Sequence, residues 1–209
     1  MFPRYNDNVA DEYKRFFLSG FVMLSFNGIE GDYMEFGCCG AVTLSTAYHA
    51  SLYRSGPARH LWACDSFRGL PAPTSEFDEH PLWKGGKFSM SQNDFVAKCT
   101  KNGVPETAYT TIPGFFSESL PKLSNPNDIA MAFIDCDMYS STVDVLTFLK
   151  PRLKHGMILA FDDYYCYSST QPAGEKKAFD EFKASMAGWE FVPYHPFHWA
   201  GTSFIVQRA

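Results

Sequence analysis

The run Ile129-Ala130-Met131-Ala132-Phe133-Ile134 is six apolar residues with no polar position to turn toward water, and it stops at Asp135. A strand of that kind is covered on both faces, the environment of a central strand in a parallel sheet flanked by helices. The stretch from Met157 to Phe161 repeats the pattern and stops at Asp162-Asp163. Parallel strands present their carboxyl ends on one edge, so Asp135, Asp137, Asp162 and Asp163 are expected to gather there. Twenty-seven positions separate Asp135 from Asp162, enough for one helix between the strands. Ser140-Ser141-Thr142 is its expected cap.

The rest of the chain follows the same grammar. Tyr13, Phe16, Phe17, Phe21 and Leu24 recur at helical spacing and mark a covering helix within residues 1–27, with Gly20 a weak point inside it. Gly31 to Phe36 reads as a strand, followed by a glycine turn and a helix through Leu44, Ala47, Tyr48 and Leu52 that ends near Ser55-Gly56-Pro57. A second strand, His60 to Cys64, ends at Asp65, and residues 71–90 then turn to Pro, Gly, Ser and charge, with Trp83 and Phe88 embedded. Long excursions at strand ends often act as lids. Helical spacing resumes from Ser91 to Lys101, a strand is expected at Tyr109 to Ile112, and Phe179, Phe182 and Met186 mark a last helix. Trp189 to Tyr194 and Thr202 to Val206 lie too close for a helical crossover, which makes them an antiparallel hairpin added to a parallel sheet. The fold class is therefore α/β and Rossmann-like, with residues 1–209 as a single domain, since no linker composition divides them.

Composition removes several functions. A net charge of −5 without a basic stripe argues against nucleic acid as a partner. The first residues lack the order of a signal peptide and no apolar run reaches about 18 residues, so a cytoplasmic protein with no membrane span is expected. The six cysteines include no C-x-x-C pair, which leaves neither zinc nor a disulfide framework indicated.

The remaining polar residues at strand ends define a chemistry. Gly37 and Gly40 allow backbone N–H groups to approach a ligand, and Glu35 offers an acceptor beside them. The E-x-G-x-x-G spacing falls short of a full dinucleotide fingerprint, so a tight turn for helix packing is the competing reading. Asp65 stands where Rossmann-like folds hold a ribose diol, and a turn cap made with Ser66 competes with that role. Asp135, Asp162 and Asp163 are oxygen donors suited to magnesium, which takes one or two carboxylates and keeps water and substrate oxygens. Asp137 is open between a metal contact through water, a partner of the ligands and a helix cap. His195 and His198 lie in an aromatic terminal stretch that could return toward the site, with packing in the hairpin the first expectation.

Taken in order, Gly31-Asp32-Tyr33-Met34-Glu35-Phe36-Gly37, Asp65-Ser66-Phe67-Arg68-Gly69-Leu70-Pro71, Gly114-Phe115-Phe116, Asp135 to Thr142 and Asp162-Asp163-Tyr164 resemble the macrocin O-methyltransferase family, metal-dependent sugar methyltransferases that use S-adenosylmethionine. The resemblance covers roughly residues 28–183. It implies a seven-stranded class I methyltransferase fold, with Glu35, Gly37, Gly40, Asp65, Ser66, Phe116 and Asp135 toward the cofactor and Asp135, Asp162 and Asp163 on Mg2+. It further implies a saccharide or other small-molecule hydroxyl as acceptor and leaves room for a homo-oligomer. Catechol methyltransferases carry a lysine three residues after the first aspartate, where this chain has Met138, so Asp135 is the expected proton acceptor as well as a ligand. A phenolic acceptor is the nearest alternative. Further away stand a phosphatase or glycosyltransferase using Asp-x-Asp, which leaves the early glycine turn without a role, and a methyltransferase-like binding protein without turnover.

Overall fold

The computed structural model of the protein describes residues 3–53 and 59–209. Seven strands, β1 (Asp32–Phe36), β2 (Leu61–Asp65), β3 (Tyr109–Pro113), β4 (Ile129–Ile134), β5 (Ile158–Phe161), β6 (Trp189–Pro193) and β7 (Thr202–Arg208), form one sheet in the order β3-β2-β1-β4-β5-β7-β6. The first five are parallel, and β7 lies antiparallel between β5 and β6. This is the Rossmann-like α/β sheet with the terminal hairpin read from the sequence. The order reverses between β1 and β4, which opens a crevice at their carboxyl ends.

Six helices cover the sheet: α1 (Pro3–Phe26), α2 (Val42–Ser51), α3 (Gln92–Lys101), α4 (Phe116–Ser119), α5 (Tyr139–Leu149) and α6 (Gly174–Ser185). On one face Phe16, Phe17, Phe21 and Leu24 of α1 pack with Tyr33, Phe133, Leu44 and Phe95. Full burial of side chains of this size stabilises by about 1.5–3 kcal/mol each, which is what holds α1 to the sheet. A Cβ on Gly20 would lie 2.6 Å from the Met131 methyl, so the expected weak point is where the helix comes closest to β4. On the other face Ala132, Ile134, Leu159 and Phe161 meet Val145, Leu149, Phe179 and Phe182 of α5 and α6. β4 is buried at every position, as its unbroken apolar run requires.

Two local expectations are corrected. Helix α2 stops at Ser51, and the stretch 55–57 where its end was expected lies outside the described residues. Helix α5 is not capped by Ser140-Ser141-Thr142: its N-cap is Met138, which supplies no side-chain bond, and Thr142 Oγ1 donates to the Met138 carbonyl within the helix. The carboxylate that serves this helix end comes from Asp78, far away in the excursion between β2 and α3.

Candidate active site

The carboxyl ends of β1, β2, β3 and β4 open on a cavity of about 710 Å³. Gly37, Asp65, Ser66, Phe116 and Asp135 line it, so these five of the residues expected on a cofactor are brought together. Gly37 has φ +91°, and a Cβ on it would fall 1.7 Å from the Asp135 carbonyl oxygen, so only glycine lets the end of β1 lie against the end of β4. Asp65 Oδ2 accepts from the Cys38 N–H at 2.7 Å and Oδ1 from the Phe67 N–H at 2.6 Å. One carboxylate thus fixes the turns after β1 and β2, with burial raising its pKa and the two N–H groups opposing that rise. Each oxygen keeps a lone pair for a hydroxyl in the cavity. Ser66 closes its own turn, donating to the Gly69 carbonyl at 2.7 Å and accepting from the Arg68 N–H.

Glu35 and Gly40 are not among the cavity-lining residues. Alternation along β1 turns Glu35 to the side of Tyr33, where it is fully buried and accepts from the Tyr33 hydroxyl and, at 2.8 Å, from Thr43 Oγ1. Burial pushes its carboxyl up to about 8, against the pull of those two bonds. Gly40, at φ +90°, shapes the turn that enters α2.

Asp135, Asp162 and Asp163 converge at the ends of β4 and β5, with one carboxylate oxygen from each within 4.8 Å of the others. Burial comes first, and the neighbouring carboxylates second, in pushing Asp135 well above the usual carboxylate range, and Asp163 is pushed up to about 6 by burial and Asp162. Among the described residues no lysine or arginine pairs with this cluster; the one basic group on it is His198, whose Nε2 lies 3.0 Å from Asp162 Oδ1. Three all-oxygen donors crowded together without a counter-charge fit a hard divalent cation, which would offset their repulsion.

Asp137 does not cap α5. It has φ +60°, a conformation that L residues adopt at some cost, and the resulting turn aims its carboxyl at Asp163 and the Trp83 side chain at the edge of the cavity. Trp83 itself is buried against Met138, Cys166 and Ala200, whereas Phe88 is half exposed and lines the cavity. The segment around them is held down: fully buried Asp78 accepts through Oδ2 from the N–H groups of Thr74 and Ser75 and through Oδ1 from the Ser140 N–H at 2.8 Å.

Four residues of this site carried no role in the sequence reading. Tyr13 of α1 donates to Asp162 Oδ1 at 2.8 Å, and the same oxygen meets His198. His198 Nδ1 accepts from the Ala200 N–H, so Nε2 carries the proton and donates. His195 packs beside Phe16, as expected of a hairpin histidine. Asp78 and Glu175 complete the four, Glu175 accepting from the N–H groups of Cys136 and Asp163. An acidic residue in the first turn of a helix ordinarily signals only the helix dipole, which hid Glu175.

Solved structures similar to this chain include the O-methyltransferase NovP, with TM-score 0.73 and 22% identity over 94% of this chain and 80% of that one. The calicheamicin methyltransferase CalS11 superposes with TM-score 0.68 and 23% identity over 90% and 77%. At those identities the likeness is one of fold. Among curated sequences, a tetracenomycin-C rhamnosyl 4'-O-methyltransferase of Streptomyces olivaceus is 30% identical over 146 residues, which is 66% of this chain and 54% of that protein. Mycinamicin III 3''-O-methyltransferase of Micromonospora griseorubida is 30% identical over 155 residues, 66% and 57% respectively. The chain spans little more than half the length of these relatives. Residues 19–187, which carry the ends of β1 to β5 and both acidic turns, match the macrocin O-methyltransferase (TylF) family model, and the chain belongs to that family.

Proposed function

We propose that the protein is an S-adenosylmethionine-dependent, divalent-cation-dependent O-methyltransferase acting in the cytosol on a sugar hydroxyl of a glycosylated natural product. The observation that carries this reading is the convergence of Asp135, Asp162 and Asp163 beside a cavity walled by Gly37, Asp65 and Phe116. Family membership supports methyl transfer, and the rhamnosyl group in the name of one curated relative supports a glycosylated acceptor over a simple phenol.

S-adenosylmethionine supplies an electrophilic methyl on a sulfonium, and Mg2+ supplies Lewis acidity that makes an alcohol easier to deprotonate. Asp65 would hold the ribose diol with its free lone pairs, and the Gly37 turn would receive the methionyl end. Asp135, Asp162 and Asp163 would hold the cation, with Tyr13 and His198 donating to Asp162 Oδ1 and so fixing which way that carboxylate faces. Asp137 would take the proton of the acceptor hydroxyl, leaving the oxygen negative for attack on the methyl as the methyl–sulfur bond breaks. We place the base there rather than at Asp135 because Asp137 lines the cavity without belonging to the trio of ligands, and a ligating carboxylate is a weaker base. Transfer removes a positive charge at sulfur and a negative charge at oxygen, so it gains from a site that excludes water, and the segment clipped by Asp78 and bearing Phe88 covers that side.

Calorimetric titration of S-adenosylhomocysteine, with and without Mg2+, tests the reading without knowledge of the acceptor. Micromolar binding in both conditions is expected; its absence in both would refute the cofactor assignment.

A further inference from the structure

We propose that Glu175 is a positioning residue whose one carboxylate sets the spacing of the two acid-bearing turns, and with it the geometry of the cation site. The inference rests on the divalent-cation reading above. The ladder between β4 and β5 closes with the Asp162 N–H on the Ile134 carbonyl at 2.8 Å, and beyond that bond the two chains diverge into their turns. Two buried N–H groups then lack a strand partner, that of Cys136, between Asp135 and Asp137, and that of Asp163. Glu175 Oε1 accepts from the first at 3.1 Å and Oε2 from the second at 3.0 Å.

The placement of this carboxylate is costly and specific. Glu175 stands in the first turn of α6, where an acidic side chain ordinarily faces solvent near its own helix N-terminus, yet it is fully buried and spans two other elements. Gly174, at φ +59°, lets α6 begin there: a Cβ would lie 2.6 Å from the Trp83 ring and 3.0 Å from the Asp137 carbonyl oxygen. Two N–H groups could be satisfied singly by two unrelated acceptors. A single rigid, planar acceptor that takes both ties the turns at a fixed separation, and the carboxylates of Asp135 and Asp163 are attached directly to those turns. Glu175 touches neither cofactor nor acceptor, so its effect is exerted through the ligands.

Glu175→Gln separates positioning from folding. Glutamine keeps length and volume but has one acceptor oxygen, so its amide N–H₂ must oppose one of the two backbone N–H groups. Mn2+ binding to the full chain, followed by electron paramagnetic resonance, is expected to weaken by about 10- to 100-fold, the range for partners that orient metal ligands, while S-adenosylhomocysteine affinity is unchanged. Phe182→Leu, which loosens α6 from the core, controls for stability and is expected to lower Tm with Mn2+ affinity retained. Unchanged Mn2+ affinity in Glu175→Gln would overturn the proposal alone. So would an equal loss in Phe182→Leu at matched Tm, or a parallel loss of S-adenosylhomocysteine binding. Failure of the wild type to bind Mn2+ would overturn the cation reading and this proposal together. Should Glu175→Gln not fold, Glu175→Asp, one methylene too short to reach both turns, is held to the same criteria.

Discussion

Glu35→Gln separates a buried core acid from a cofactor ligand. The native carboxyl titrates at about 8, against an ordinary value of 4.5, because it is sealed between Tyr33, Thr43 and the α1 layer. Between those two values the native state holds a proton that the unfolded chain has released. Stability from this group is therefore fully present below 4.5, declines as pH rises and is gone above about 8. The slope is about 1.4 kcal/mol per pH unit and the whole effect is of the order of 5 kcal/mol. Glutamine carries no such proton. Urea denaturation of wild type and Glu35→Gln from pH 5 to pH 8 should show the wild type losing up to about 4 kcal/mol relative to the variant, with the acids common to both cancelling in the difference. Parallel stability curves would refute the argument. The same variant should bind S-adenosylhomocysteine as the wild type does, and a loss beyond about tenfold, roughly 1.4 kcal/mol, would return Glu35 to the cofactor.

Asp65→Ala should weaken S-adenosylhomocysteine binding by about 1.5–3 kcal/mol, or roughly 10- to 150-fold, measured by calorimetry; unchanged affinity would remove Asp65 from the ribose. Asp162→Ala should abolish Mn2+ binding while cofactor affinity stays near wild type, and metal-independent activity at the wild-type level would sink the cation mechanism. Asp137→Asn should lower kcat by about 10²- to 10⁴-fold with Mn2+ binding retained, whereas Asp135→Asn should lose the metal; the reverse pattern in the two variants would move the base to Asp135. Asp78→Ala leaves the N–H groups of Thr74, Ser75 and Ser140 without their carboxylate, at a cost of about 1–3 kcal/mol. Limited proteolysis should then cut faster within residues 71–90, and an unaltered pattern would show that Asp78 does not hold them.

The parts of the fold legible in the sequence were those written in local periodicity. The apolar run Ile129 to Ile134 coincides with β4, and the short gap after Trp189 to Tyr194 gives the antiparallel pair of β6 and β7. The acid cluster was legible for the same reason, since a strand that ends on an aspartate states where that aspartate stands. What stayed hidden depends on partners distant in sequence: Tyr13 lies 149 positions from Asp162, Asp78 lies 62 from Ser140, and Glu175 lies 39 from Cys136. Glu35 reads from the sequence as a ligand because it precedes a glycine turn, and only the structure shows that the alternation of β1 sends it inward beside Tyr33. The Ser140-Ser141-Thr142 run misled as a cap because it lies inside α5, and a cap delivered from another loop leaves no trace at the helix itself.

Gly37 and the Asp135 carbonyl meet so closely that the ends of β1 and β4, on the two sides of the cavity, are set against each other by main chain alone, with no side chain between them to lengthen or shorten. In the proposed reaction, the span over which a methyl group would pass is then a property of two adjacent strands. Substitutions in the segment 71–90 leave that span as it is, whereas even an alanine at position 37 would force the two strand ends apart.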